Sequence, residues 1–216
     1  MSYIHDHWDI VSSLFVQHVE LSMGALCIAL LIALPVGVVA SRVPWLYGPV
    51  IGILDAVYTI PSLALLAILV PIVGIGREPA LVALVAYAQL ILVRNTVTGI
   101  RGVDPSVVEA ARGMGMSRFQ ILRKVELPLA LPVIIAGVRI ATIAIIGIGT
   151  VAAYVDAGGL GTLLFNGVSQ DDPRQIEAGA LAIAVLAIAV DLVLRVGEWT
   201  AQNLTGGTSR PARGSL

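Results

Sequence analysis

The sequence predicts an all-α membrane protein of about five transmembrane helices, and three observations predict it. Hydrophobic residues make up 57% of the 216 and charged residues only 12%, half of what a soluble domain carries at about a quarter. Mean hydropathy is +0.93. The apolar residues gather into five runs of the length a membrane span needs, about 20 residues. One polar insert, residues 101–128, separates the third run from the fourth.

Residues 1–18 precede the first run and are expected as an external, solvated segment. They hold Asp6 and Asp9 but no Lys or Arg, so no cleaved signal peptide is expected. His5 and His7 alternate with the two aspartates, a pattern that hints at weak external metal capture. A solvated tail is the preferred reading, and no metal site is expected. The five spans are placed at residues 19–40, 47–73, 79–93, 129–153 and 176–195. The third is short, and its extension into residues 94–100 is left open.

Pro35, Pro61 and Pro132 lie inside these runs, where neighbouring helices can re-satisfy the backbone groups a proline frees. Gly137, Gly147 and Gly149 are read as close helix contacts. The single cysteine, Cys27, excludes an internal disulfide and reads as a small buried hydrophobe. Residues 199–216, rich in Gly, Ser and Thr, are expected as a short disordered cytoplasmic tail. Nothing after the fifth span reads as a soluble solute-binding domain, so such a domain is expected on another chain.

Lys and Arg set the direction. Arg94, Arg101, Arg112, Arg118, Arg123 and Lys124 cluster between the third and fourth spans. Arg42 follows the first span, and Arg195, Arg210 and Arg213 follow the fifth. The other side has Arg77 and Arg174 against seven acidic residues, among them Asp156, Asp171 and Asp172. The positive-inside rule puts the insert and the C-terminus in the cytoplasm and the N-terminus outside. Trp45 and Trp199 then fall at the cytoplasmic interface, as an aromatic belt would.

The insert reads as two short helices with a bend. Asp104-Pro105 is a favourable helix opening, although Ser106 with Glu109 also fits a capping box. Gly113 and Gly115 are suited to stop the first helix. Ser117 with Gln120 forms a second capping box, and Leu127-Pro128 is expected to end the second helix and turn the chain into the fourth span.

Within this insert lies an ordered pattern. Glu109-Ala110-Ala111 is followed by three residues, Gly115, nine residues, and Val125-Glu126-Leu127-Pro128. It resembles the signature of permease subunits of binding-protein-dependent ABC importers, Glu-Ala-Ala through Gly to Ile-x-Leu-Pro. Val125 replaces the Ile, and the other fixed positions match. The longer phrases 58–66, 94–100, 113–116, 125–132 and 157–161 are similar to the osmoprotectant branch, whose solutes are glycine betaine, carnitine and choline. Methionine importers share parts of them. The likeness extends from about residue 19 to residue 198.

The resemblance implies a type I ABC importer permease fold. It makes the insert a coupling helix, with Glu109, Ala110, Ala111, Gly115, Leu127 and Pro128 as its marked positions. Ala110 and Ala111 would allow close approach of the partner, Glu109 would offer an acceptor, and Gly115 would supply the bend. The implied partners are a dimer of ATP-binding cassette ATPases, a second permease chain (identical or paralogous), an external substrate-binding protein and membrane lipid. The implied site of action is the bacterial inner membrane. ATP and Mg belong to the partner ATPase. No cofactor is expected on this chain, which has no Gly-x-x-x-x-Gly-Lys-Ser/Thr loop and only one lysine, Lys124.

Ionisable residues within spans tend to face a cavity or a partner. Asp55, Tyr58, Tyr87 and Gln89 could line a pathway for a polar solute or hydrogen-bond between helices. Arg139 and Asp191, on successive spans, could form an intramembrane ion pair, although Asp191 also lies near water. The segment Asp156-Ala157-Gly158-Gly159-Leu160-Gly161 reads as a flexible outer hairpin near the gate. Neither a DNA-reading helix-turn-helix, given the flanking spans, nor an intramembrane enzyme, given no reactive set, fits the chain. A basic surface segment resting on anionic lipid lacks the motif's spacing. An ATP-independent channel would have no use for the docking insert.

Overall fold

The computed structural model describes residues 2–204, and every regular element among them is helical. A short helix α1 (Ser2–Asp6) leads into α2 (Trp8–Arg42), followed by α3 (Pro44–Thr59), α4 (Ser62–Val73) and α5 (Arg77–Arg101). The insert contains α6 (Pro105–Gly113) and α7 (Arg118–Ile121). A π-helical turn at Leu122–Glu126 then continues into α8 (Leu127–Val151) and a 3-10 turn at Ala152–Val155. The chain closes with α9 (Gly161–Ser169) and α10 (Pro173–Leu204).

Four helical stretches are long and apolar enough to cross a membrane, those of residues 8–42, 77–101, 118–155 and 173–202. Helices α3 and α4 are long and apolar enough only as a pair, bent by 96°, which makes residues 44–73 either one broken span or a re-entrant loop. A single continuous helix over residues 47–73 is therefore corrected to a broken one. Pro61 is the cause: it has no N–H to continue the ladder and drives the preceding residue to extended backbone. Ile60 accordingly sits at φ −67°, ψ 127°. By contrast Pro35 and Pro132 lie inside unbroken helices.

The core is a layer of small residues between α2, α5 and α8. Ala25, Ala29, Ala33, Ala83, Ala88 and Ala141 are all essentially without exposure, so these helices approach closely over their length. Gly137 packs against Asn95 and Gly149 lies beside the His18 ring, whereas Gly147 faces open space and is no packing contact. Cys27 is exposed, not buried. It lies outside the buried stripe of α2 that runs through Ala25, Leu26, Ala29 and Ala33.

Several boundaries shift. The first span's helix starts at Trp8, so most of the segment expected as a solvated tail is helical. Val11 and the flanking Tyr3, Ile4 and Leu14 pack with Leu160, Leu163 and Leu186. The third span does extend through residues 94–100. The fifth runs on to Leu204, so residues 199–204 are helical, and the rest of the expected tail lies outside the described residues. Helix α9 had no expectation. It is too short to show a period against the long runs beside it, yet it buries Leu163.

Candidate functional site: the insert and its roots

Asp104 caps α6, its side chain accepting from the Ser106 N–H at 2.8 Å. That bond holds the Asp104 carboxyl below the ordinary carboxylate value. Pro105 occupies the first turn, where its missing N–H costs nothing. This resolves the helix start in favour of Asp104 over Ser106. At the other end Gly115 adopts φ +80°. The Met116 N–H bonds the Ala111 carbonyl at 3.2 Å and the Gly115 N–H bonds the Arg112 carbonyl at 3.0 Å. This pair of bonds is the Schellman motif, with Gly115 as its left-handed residue. Gly113 is ordinary helix. The Ser117–Gln120 capping box forms in both directions.

Leu127-Pro128 does not end a helix, contrary to expectation. The chain passes from α7 through the π turn into α8 as one helical stretch. Pro128 cannot donate to the preceding turn, and the wider π register just before it absorbs the mismatch.

The marked residues divide between two faces. Glu109 and Ala110 are exposed, whereas Ala111 is 2% exposed and turned into the chain's own interior. Close approach by a partner is thus possible at Ala110 and not at Ala111. Val107, Met114 and Phe119 are also exposed, the last two at 71% and 66%. These exposed apolar side chains lie beside the motif positions, and a motif reading centred on Glu109 passes over Val107 and Phe119.

The roots of the insert are held by charge. Arg42, at the end of α2, pairs with Glu126 of the π turn, one contact being Nη1 to Oε1 at 3.0 Å. The Glu126 side chain is 5% exposed. Arg101, at the end of α5, donates to the Ala40 and Ser41 carbonyls and stacks on the Tyr47 ring at 4.7 Å. Only Val43 separates α2 from α3, so both arginines fasten the insert to the start of the broken span. A cleft of about 480 Å³ beside α6 is lined by Arg42, Arg112, Arg118 and Phe119.

Among the other sequence candidates, Asp55 on α3 accepts from Arg94 Nη2 at 3.0 and 2.9 Å. The Tyr87 hydroxyl donates to the Ile60 carbonyl at the break, and Tyr58 meets the Tyr87 ring edge-on at 5.7 Å. Gln89 is buried and donates to the Ala29 carbonyl of α2 at 3.2 Å, which puts it between helices. Arg139 Nε lies 3.4 Å from Asp191 Oδ1, and Arg139 Nη1 lies 3.0 Å from Glu198 Oε2. Arg195 joins Asp191 from one turn away.

At the far end, the hairpin expected to be flexible is pinned. Asp156, Gly158 and Gly159 all take positive φ, and the Gly159 N–H donates to Gln17 Oε1 at 3.2 Å. His18 is fully buried beneath it, with Nε2 3.1 Å from the Ile146 carbonyl. A side chain at Gly159 would collide with that ring. The position of His18 just ahead of the first apolar run gives no sign in the sequence of that burial.

Residues 26–197 match the model of the binding-protein-dependent transport system inner membrane component. The chain belongs to that family. It is 44% identical to the choline transport system permease protein OpuBB of Bacillus subtilis (strain 168), covering 84% of each chain. It is 42% identical, over the same shares, to that organism's glycine betaine/carnitine/choline transport system permease protein OpuCB. Among solved structures, the inward-facing MetNI methionine ABC transporter superposes with a TM-score of 0.81 at 25% identity, covering 89% of this chain and 96% of that one. The fold is that of a type I ABC importer permease, and the chain is an inner-membrane transport component.

Proposed function

We propose that this chain is the permease half of an importer for osmoprotectants such as glycine betaine, carnitine or choline, driven by ATP hydrolysis on a separate subunit. The observation that carries this reading is the insert: a capped helix bearing Glu109 and Ala110 outward, with Met114 at its end and Phe119 on α7 also exposed, while its roots are locked to the transmembrane helices. The solute class is supported by relatives above 40% identity whose names specify those solutes. The methionine transporter, at 25%, supports a shared architecture.

In this reading the N-terminus is outside and the insert and C-terminus are cytoplasmic, as the distribution of Lys and Arg suggests. Two permease chains enclose the pathway, an external binding protein delivers the solute, and an ATPase dimer carrying ATP and Mg grips α6. Closure of the ATPases draws α6 with it. Because Arg42 and Arg101 tie the insert to the α2–α3 turn, that displacement reaches the break at Ile60-Pro61, where the pathway opens and closes.

Docking is tested by crosslinking. In a Cys27→Ser background, a cysteine introduced at Ala110 should crosslink to the ATPase, and one at Ala111 should not. Reaction at both positions, or at neither, contradicts the assigned face. The solute is tested by uptake into proteoliposomes holding the full complex. Betaine or choline uptake supports the assignment; methionine uptake alone overturns it.

A further inference from the structure

Asp55 and Arg94 form an ion pair in an unusual place. Asp55 lies about three turns into α3, roughly 16 Å along the helix from Pro44, and Arg94 lies roughly 10 Å before the end of α5. Both positions are inside spans, yet the two side chains are 47% and 48% exposed. Half-exposed charges at that depth are costly against lipid and characteristically face a water-filled cavity. The other intramembrane set, around Arg139, is more enclosed, at 18–25% exposure, and is shut between α8 and α10.

One helical turn from Asp55, on the same face of α3, stands Tyr58. It is 41% exposed, and its ring is fixed edge-on to Tyr87, whose hydroxyl is held by the Ile60 carbonyl. A carboxylate, a guanidinium and an aromatic ring therefore converge beside the break in the span. Such a set matches a solute with a quaternary ammonium at one end and a carboxylate at the other. Aromatic faces attract quaternary ammonium groups, and guanidinium binds carboxylate through paired donors.

We propose that Asp55, Arg94 and Tyr58 form a transit site for zwitterionic quaternary-ammonium solutes within the pathway. This rests on the importer reading above. The resting ion pair is exchanged: the solute carboxylate takes the place of Asp55 on Arg94, while its ammonium settles between Asp55 and the Tyr58 ring. Each charge on the protein keeps a partner throughout, which avoids the penalty of an isolated charge in a low-dielectric setting. A cationic solute without a carboxylate engages only Asp55 and Tyr58.

The test compares glycine betaine with choline in proteoliposomes of the full transporter, with the same binding protein throughout. R94Q is expected to lower betaine uptake about tenfold relative to choline, since only betaine loses a charge-assisted partner. D55N should do the reverse, lowering choline more than betaine. Tyr58→Leu should reduce both, and Tyr58→Phe neither. If R94Q assembles poorly, R94K keeps the charge but loses the fork and should still disfavour betaine. Equal loss of both solutes in R94Q and R94K, or no loss in either, overturns the site and identifies a structural ion pair. Failure of the unaltered complex to take up either solute would instead refute the importer assignment on which the site depends.

Discussion

At φ +80° Gly115 holds the backbone in the left-handed region, and both hydrogen bonds that close α6 depend on it. No atom lies within 4 Å of where its Cβ would be, so a substitution costs backbone strain and nothing else. Gly115→Val should destabilise the insert by about 1–2 kcal/mol, and Gly115→Asn by less, because Asn tolerates this conformation. Thermal unfolding of the purified complex reads the difference, and equal effects would count against the capping role. Asp104 gives a pH dependence. Its folded value is depressed below 3.8 by the Ser106 N–H, so its contribution is complete above that value and is lost as pH falls through the depressed one. Amide exchange at Ser106 should therefore accelerate on acidification into that range, beyond its intrinsic pH dependence, and Asp104→Asn should remove the effect.

Among the elements, the joint between insert and spans matters most. Removing Arg42 leaves the enclosed Glu126 carboxylate without its partner, at a cost of about 1–3 kcal/mol. Arg42→Gln should lower solute-stimulated ATP hydrolysis more than basal hydrolysis. Arg42→Glu combined with Glu126→Arg should restore part of the coupling, and no restoration would make the pair incidental to coupling. The break at Ile60-Pro61 gives a second case. Tyr87→Phe frees the Ile60 carbonyl and should cost about 1 kcal/mol. An unchanged melting temperature would show that another group satisfies that carbonyl.

The same elements show how far the sequence could be read. Cap chemistry at Asp104, Ser117 and Gln120 is local, so the starts of both insert helices were legible. The expected end at Leu127-Pro128 was not, because the π turn carries the second helix straight into α8. The five apolar runs located the spans, because hydropathy is additive along the chain. The break at Pro61 was not legible, since Pro35 and Pro132 look the same in sequence and leave their helices unbroken. The group that takes up the carbonyl at the break, the Tyr87 hydroxyl, comes from 27 residues away in the chain. Similarly Arg42–Glu126 and Asp55–Arg94 join residues 84 and 39 positions apart. Composition counted those arginines only as markers of orientation, and the inward turn of Ala111 depended on a fold not yet known.

For the whole molecule, the proposed function makes one chain the link between ATP hydrolysis below the membrane and solute passage through it. The Arg139 cluster joins α8 to α10. Reversing Arg139 and Asp191 together should recover assembly lost in either single reversal, as read by the yield of folded complex. The broader claim is settled by ATP hydrolysis and betaine uptake in proteoliposomes containing this chain, its ATPase and its binding protein, beside a Glu109→Lys variant. Betaine-stimulated hydrolysis coupled to uptake is expected, with both lost in the variant although the permease still assembles. Full coupled uptake by Glu109→Lys, or uptake that needs no ATP, would contradict the proposed function.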